Sequence, residues 1–99
     1  MMVIKEALAE VELKNHPVAR ILHKGDMFKG MIIAFKKDMI LREHKTHLPA
    51  TITVIKGKVN YRKEDSVITI NEWDNFQIPI HETHSIEALE DSICLLIQG

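Results

Sequence analysis

The sequence predicts an all-β domain, either a sandwich or a barrel of short strands. Short runs of apolar and β-branched residues follow one another, and turn-forming residues separate them at short intervals, which is typical of such folds. The clearest run is residues 50 to 56, ATITVIK, where Ala50, Ile52 and Val54 alternate with the neighbouring side chains. Gly57 ends this run at a position suited to a tight turn.

The N-terminal segment in front of these strands is less decided. Residues 5 to 13, KEALAEVEL, are good helix formers, but the spacing of Leu8, Val11 and Leu13 fits a helical and an extended period equally well. The sequence therefore predicts a short helix or an extended arm. Residues 15 to 17, Asn-His-Pro, then interrupt regular structure, because the residue before a proline avoids the α region.

Further strands are predicted on both sides of residues 50 to 56. They span residues 18–23, 27–35, 39–44, 58–62, 66–70, 75–79, 84–89 and 92–98. Gly30, inside the second of them, predicts a bulge. In residues 84–89 the side chains of His84, Ile86 and Ala88 share one face, so the histidine is expected to point into the barrel with its apolar neighbours.

Composition bounds the class of protein. The chain has 99 residues, 45% of them hydrophobic, which is one domain with enough apolar side chains for a core. The formal net charge of -1 excludes a strongly basic surface for nucleic acid. No apolar run is long enough to span a membrane, and the N-terminus lacks a signal-peptide pattern. Cys94 lies in the apolar run ICLLI and is expected to be a buried thiol, so the sequence indicates a soluble, cytoplasmic protein.

Histidines give the one chemical signal. Four of the six lie at two junctions between strand and loop. His44 and His47 precede the strand of residues 50–56, His81 precedes the strand of residues 84–89, and His84 begins that strand. Imidazole is the commonest side-chain ligand for zinc, copper, iron and nickel. In a regular strand His47 would face away from His44, and it can turn inward only if Pro49 breaks the strand. His16 and His23 are interpreted as surface residues.

The segment from His44 to Gly57 resembles the first motif of the small single-domain cupins. That motif is a histidine, any residue, a second histidine, three or four residues, a glutamate, six residues and a glycine. Counted back from Gly57, the first histidine is His44, the second histidine is replaced by Thr46, and the glutamate by Ala50. The second cupin motif, Pro-x-Gly-x-x-His, is met by Pro79 and two histidines. Those are His81, in the place of the glycine, and His84.

The resemblance covers residues 18 to 97 and implies a double-stranded β-helix, or jelly-roll barrel. It divides a single cupin domain, residues 1–99, into an N-terminal arm (1–17) and a barrel (18–97). It also implies a divalent transition metal such as Zn, Ni, Fe, Mn or Cu and a small organic ligand in the barrel interior, for dioxygenation or isomerisation. Two of the four usual metal ligands are replaced, so a metal-free binding or regulatory module is the alternative.

Site residues follow from this resemblance. His44 and His84 would be metal ligands, with His47 or His81 completing the set. Glu43 and Glu82 stand next to histidines and are interpreted as facing outward. No serine, cysteine or lysine lies in a nucleophile motif and no phosphate loop is present, so no catalytic residue is assigned.

Two other patterns carry expectations. Residues 31–35 and 92–97 are apolar on both faces, and one barrel covers only one face of each strand, which predicts a homodimer. Met27 is interpreted as a gap-filling core residue, like Met31 and Met39. Trp73 takes a place where cupins usually have a turn glycine, so a different loop with its indole at the surface is expected.

Overall fold

A computed structural model describes residues 2 to 99, with the backbone alone for Glu43 and His44. Across these residues the chain forms one helix and nine strands, with the bounds α1 Val3–Val11, β1 Val18–Lys24, β2 Lys29–Phe35, β3 Ile40–His44, β4 Ala50–Lys56, β5 Lys58–Lys63, β6 Ser66–Asn71, β7 Asn75–Ile78, β8 His84–Ala88 and β9 Ser92–Gln98. The described helix is too short to cross a membrane.

The strands form two antiparallel sheets. One has five strands in the order β1-β2-β9-β4-β7, and the other has four in the order β3-β8-β5-β6. Neighbours in each sheet are mostly distant in sequence, as the paths of a jelly roll require. The prediction of an all-β jelly-roll fold is confirmed.

The main core lies between the two sheets. In β4, Ala50, Ile52 and Val54 are buried while the alternate side chains are half-buried, as the period of two predicts. Tyr61 from β5 is also fully buried. Cys94 from β9 lies in the same core, where burial raises the pKa of its thiol to about 12. The expectation of a buried, unpaired cysteine is confirmed.

The N-terminal segment is a helix that covers the outer face of the five-stranded sheet. Ala7 and Val11, four residues apart and so on one helix face, are buried against Ile32 and Ala34 of β2. Leu13 lies beyond the helix and is 86% exposed. The outer apolar face of β2 is thus covered within one chain, which removes part of the reason for expecting a homodimer. The homodimer itself stays a prediction.

An ion-pair cluster fixes the end of this helix to the sheet. The Lys36 ammonium lies 2.8 Å from a Glu12 carboxylate oxygen and 2.9 Å from one of Asp91. Hydrogen bonds to Glu12 and then to Asp91 raise the pKa of Lys36. The hydrogen bond from Lys36 lowers the pKa of Asp91. All three side chains face water, so the cluster orients the helix more than it stabilises the fold.

Two sequence interpretations need correction. The irregularity expected at Gly30 lies on the opposite strand, where the register of β1 shifts between Ile21 and His23. Met27 is 81% exposed, so its interpretation as a core residue was wrong. It lies in the turn before β2, whereas Met31, within that strand, packs against the core.

The backbone packs tightly at the end of β4 and at the starts of β5 and β9, on the side of the fold opposite the histidines. Residues 56–58 and 90–92 in this region are called the Gly57 end. Gly57 has φ 90°, in the left-handed region that favours glycine. A methyl group there would lie 2.3 Å from the Ser92 hydroxyl oxygen and 2.4 Å from the Asp91 carbonyl oxygen. The buried Ser92 hydroxyl donates to Glu90 O (2.8 Å) and accepts from Lys58 N (3.1 Å), so side-chain and backbone contacts close this end.

Candidate functional site

The two histidine-bearing segments meet at the other strand ends, and residues 44–49 with 79–84 are called the histidine end. The His81 amide donates to the Thr46 carbonyl at 2.9 Å. His81 itself has φ 66°, which bends the loop between β7 and β8 toward Thr46. As a result the rings of His47 and His81 lie edge to face with centroids 5.2 Å apart, and both are exposed.

The other two histidines are neighbours in the four-stranded sheet. His44 on β3 is the register partner of His84 on β8. The side chain of His44 lies outside the described residues, so its predicted role as a ligand stays a prediction that rests on backbone placement. His84 is 1% exposed, and the prediction that it faces the interior with Ile86 and Ala88 is confirmed.

The surroundings of His84 fix its ring. Its Nδ1 lies 2.9 Å from the Glu82 carbonyl oxygen, which has no proton to donate. Nδ1 must therefore carry the hydrogen, and in the neutral ring Nε2 keeps the lone pair that a metal needs. The Tyr61 ring stacks on His84 with centroids 4.8 Å apart and an interplanar angle of 20°. Phe76 packs on Tyr61 in turn.

Glu82 takes part in this arrangement, and its interpretation as outward-facing was wrong. The Tyr61 hydroxyl donates to Glu82 Oε1 at 2.7 Å, and Lys63 Nζ lies 3.5 Å from Oε2. Burial and then the Glu82 carboxylate raise the pKa of Tyr61 above its ordinary value. The left-handed turn at His81 directs Glu82 inward, and no glycine in the sequence signals it. The sequence analysis also missed Tyr61, although it lies two residues after the buried Val59 and therefore on the same face of β5.

Thr46 and Ala50 face inward, as the resemblance implies. They are 7% and 5% exposed. The Thr46 hydroxyl donates to the Leu48 carbonyl at 2.8 Å and accepts from Gln98 Nε2 at 3.3 Å, so it is engaged within the chain. Ala50 belongs to the core and offers no donor atom. The two positions thus face inward as in the cupin motif, but they carry a threonine and an alanine instead of the metal-binding histidine and glutamate.

The fit to a metal ion is partial. Among residues whose side chains the structure describes, no group of three His, Cys, Asp or Glu is arranged to hold a metal. That statement does not extend to His44. Two features do fit: the His84 tautomer and the close pair formed by His47 and His81. His16 and His23 are exposed outside the histidine end, as expected.

A cleft of about 430 Å³ lies beside the histidine end. It is bordered by the start of β4, the end of β7 and the C-terminal end of β9, including Pro49, Ala50, Ile78, Pro79, Ile80 and Gly99. Thr51, Gln77 and the exposed Ile97 also line it, so the cleft has polar as well as apolar walls and opens on the outer side of the five-stranded sheet. Two of its lining residues, Pro49 and Ile80, are close in sequence to His47 and His81, so the cleft lies beside the histidine end.

Solved structures with a similar fold include several cupins. The chain is similar to an RmlC-like cupin protein from Desulfovibrio desulfuricans, with 23% identity over 85% of this chain and 82% of that one and a TM-score of 0.78. A cupin superfamily protein from Desulfitobacterium hafniense has a TM-score of 0.79, with 18% identity over 86% and 78% of the two chains. KdgF from a Halomonas species has a TM-score of 0.75, with 19% identity over 87% and 82%.

Comparison with protein-family models and with curated proteins gives no match. The structural likeness nevertheless defines the class: the chain has the fold of a small, single-domain cupin. The resemblance drawn from the two histidine motifs is confirmed at the level of the fold.

Proposed function

We propose that this protein binds a divalent transition metal at the histidine end, together with a small organic ligand. His44 and His84 would hold the metal, and His47, His81 or both would complete the set. The hydrogen bond from the His81 amide to the Thr46 carbonyl carries this proposal, because it joins two segments 35 residues apart in sequence (81 − 46) and so brings two histidine rings together.

The ring separation suits shared coordination. Two imidazoles on one tetrahedral ion, with metal–nitrogen bonds of about 2 Å, have centroids roughly 5 Å apart. The rings of His47 and His81 are 5.2 Å apart. The hydrogen bond of His84 to a backbone carbonyl is the partner that metal-binding histidines usually have.

A bound metal would supply a Lewis acid for dioxygenation or isomerisation of the small ligand. The chain's own contribution is to orient His84 by the Glu82 carbonyl and the Tyr61 ring. The cleft beside the histidine end would receive the ligand.

Metal content of untagged protein tests this proposal. His84→Ala and His47→Ala are expected to lower bound metal and zinc affinity at least about tenfold. His16→Ala is the matched control, because that histidine is exposed and lies outside the histidine end. Elemental analysis and calorimetric zinc titration provide the two measurements. Equal metal content in His84→Ala and His16→Ala would remove His84 from the site.

A metal-free binding or sensor module is the second candidate. It is favoured by Thr46 and Ala50, because the first is engaged with Gln98 and the second is a core residue. In that case untagged protein would contain no stoichiometric metal, and native mass spectrometry would detect a copurified organic ligand. Metal present at one equivalent in protein without a tag would exclude this candidate.

We also propose a homodimer. Ile97 on the outer face of β9 and Ile21 and Leu22 on the edge strand β1 remain exposed after α1 has covered the face of β2. A twofold contact is the commonest way to bury such side chains. Light scattering at micromolar concentration is expected to give twice the chain mass, and a monomer mass would contradict the proposal.

A further inference from the structure

Glu82 acts on His84 in two ways, directly through its backbone carbonyl and indirectly through Tyr61. Its backbone carbonyl accepts the hydrogen bond from His84 Nδ1 at 2.9 Å. Its carboxylate accepts the hydrogen bond from the Tyr61 hydroxyl at 2.7 Å, and the Tyr61 ring stacks on His84. Lys63 Nζ, 3.5 Å from the second carboxylate oxygen, adds an ion pair from the same strand as Tyr61. One residue thus acts on the edge and on the face of the same imidazole.

The same carboxylate also fastens the loop between β7 and β8. His81 precedes Glu82 in that loop and is tied to Thr46 on one side through its amide. The bonds from Glu82 to Tyr61 and Lys63 tie the loop to β5 on the other side. Without the carboxylate, the buried Tyr61 hydroxyl would lose its acceptor and the loop would lose its attachment to β5.

We infer that Glu82 is a positioning residue of the histidine end. Through the Tyr61 hydroxyl, its carboxylate holds the tyrosine ring against His84 and so sets the direction in which His84 Nε2 is presented. This inference rests on the proposed function for its effect on metal affinity. The orientation of His84 itself is a property of the chain alone and can be measured without metal.

Two substitutions separate a hydrogen-bonding role from a charge role. Glu82→Ala removes the acceptor, whereas Glu82→Gln keeps an oxygen for the Tyr61 hydroxyl and loses the charge. Tyr61→Phe keeps the ring and removes the donor. Glu87→Ala is the matched control, since Glu87 pairs with Arg62 and its side chain is 24% exposed, the same fraction as Glu82.

The readouts are zinc affinity by calorimetry and the nitrogen chemical shifts of the His84 ring by NMR. We expect Glu82→Ala and Tyr61→Phe each to weaken zinc binding about tenfold and to shift the His84 signals. Glu82→Gln should restore most of both, and Glu87→Ala should leave both unchanged. The double variant Glu82→Ala/Tyr61→Phe should lose no more than Glu82→Ala alone, because both substitutions remove the hydrogen bond between Tyr61 and Glu82.

Several results would overturn the inference. These are native His84 signals in Glu82→Ala, a glutamine variant as impaired as the alanine variant, or additive losses in the double variant. If Glu82→Ala does not fold, Tyr61→Phe decides, because it must reproduce the shift of the His84 signals. If the parent protein binds no zinc, the proposed function fails, while the His84 shifts in metal-free protein still decide whether Glu82 positions the ring.

Discussion

The Gly57 end and the histidine end lie at opposite ends of the two sheets and share strand β4, yet they fill the space at the strand ends differently. At the Gly57 end the backbone approaches so closely that a methyl group on Gly57 would meet the Asp91 carbonyl. A buried hydroxyl, that of Ser92, is fully used in joining Glu90 and Lys58. At the histidine end the contacts are made by rings and a carboxylate, and His47 and His81 are open to solvent.

Under the proposed function, this difference separates stability and chemistry between two ends of one fold. Close packing and a hydrogen-bonded turn leave no room for a side chain at Gly57 and fix the strand register. The exposed imidazoles of the histidine end contribute less to packing, and under the proposed function they would contribute to binding. Substitutions at the Gly57 end should therefore act on folding, and those at the histidine end on ligand affinity.

Gly57→Ala should have the largest effect on stability. The left-handed φ of 90° and the contacts at 2.3 and 2.4 Å both penalise a side chain. We expect a loss of about 3 kcal/mol in the free energy of unfolding, measured by urea denaturation. Gly25→Ala is the control, because a methyl group there meets nothing within 4 Å. Equal stability of the two variants would mean that the Gly57 end is not tightly closed.

The double variant Thr46→His/Ala50→Glu should convert the histidine end into a fuller metal site. Both positions are buried and inward-facing. Without metal, the buried glutamate should cost about 2 kcal/mol of stability. Added zinc, nickel or iron(II) should then raise the melting temperature more in the variant than in the parent, because metal binds the folded state. An equal rise in both would show that the two positions do not match the cupin motif.

The ionisation of Tyr61 should have the smallest effect on stability at neutral pH, and it can be observed directly at alkaline pH. The pKa of Tyr61 is raised in the folded protein, so folding favours the neutral hydroxyl. This contribution to the free energy of unfolding is fully present below the unfolded pKa of about 10 and is lost as the pH rises toward the folded pKa. Tyr61 is the chain's one tyrosine, so tyrosinate absorbance reports on it alone. At about pH 11 the folded protein should show little tyrosinate, whereas urea-unfolded protein should be mostly ionised. Ionisation near pH 10 with native circular dichroism would contradict the buried hydrogen bond to Glu82.

The strands could be predicted from the sequence where alternation is strong. The bounds predicted for β4 and β9 agree with the structure, because each has a regular inward face. The form of the N-terminal segment could not be predicted, since Leu8, Val11 and Leu13 fit two periods. The choice was made by tertiary packing of Ala7 and Val11 on β2.

The histidine end could be predicted in location but not in detail. Sequence spacing placed His84 inward, and the resemblance to cupins implied that the two histidine segments meet. It did not predict that His81 adopts a positive φ, because that conformation is uncommon for a residue with a side chain. The inward direction of Glu82, and with it the contact to Tyr61, depends on that one backbone angle.

The docking of α1 affects the order in which the chain can fold during synthesis. The helix packs on Val18 of β1 and on Ile32 and Ala34 of β2, and Ile93 of β9, the last of the nine strands in sequence, packs against the same cluster. That surface is complete only when β9 has paired between β2 and β4. The helix and the β1–β2 pair are close in sequence and can associate early, whereas the cluster that they form is closed only after β9 has been made, so part of its apolar surface stays open to chaperones or to other nascent chains until then.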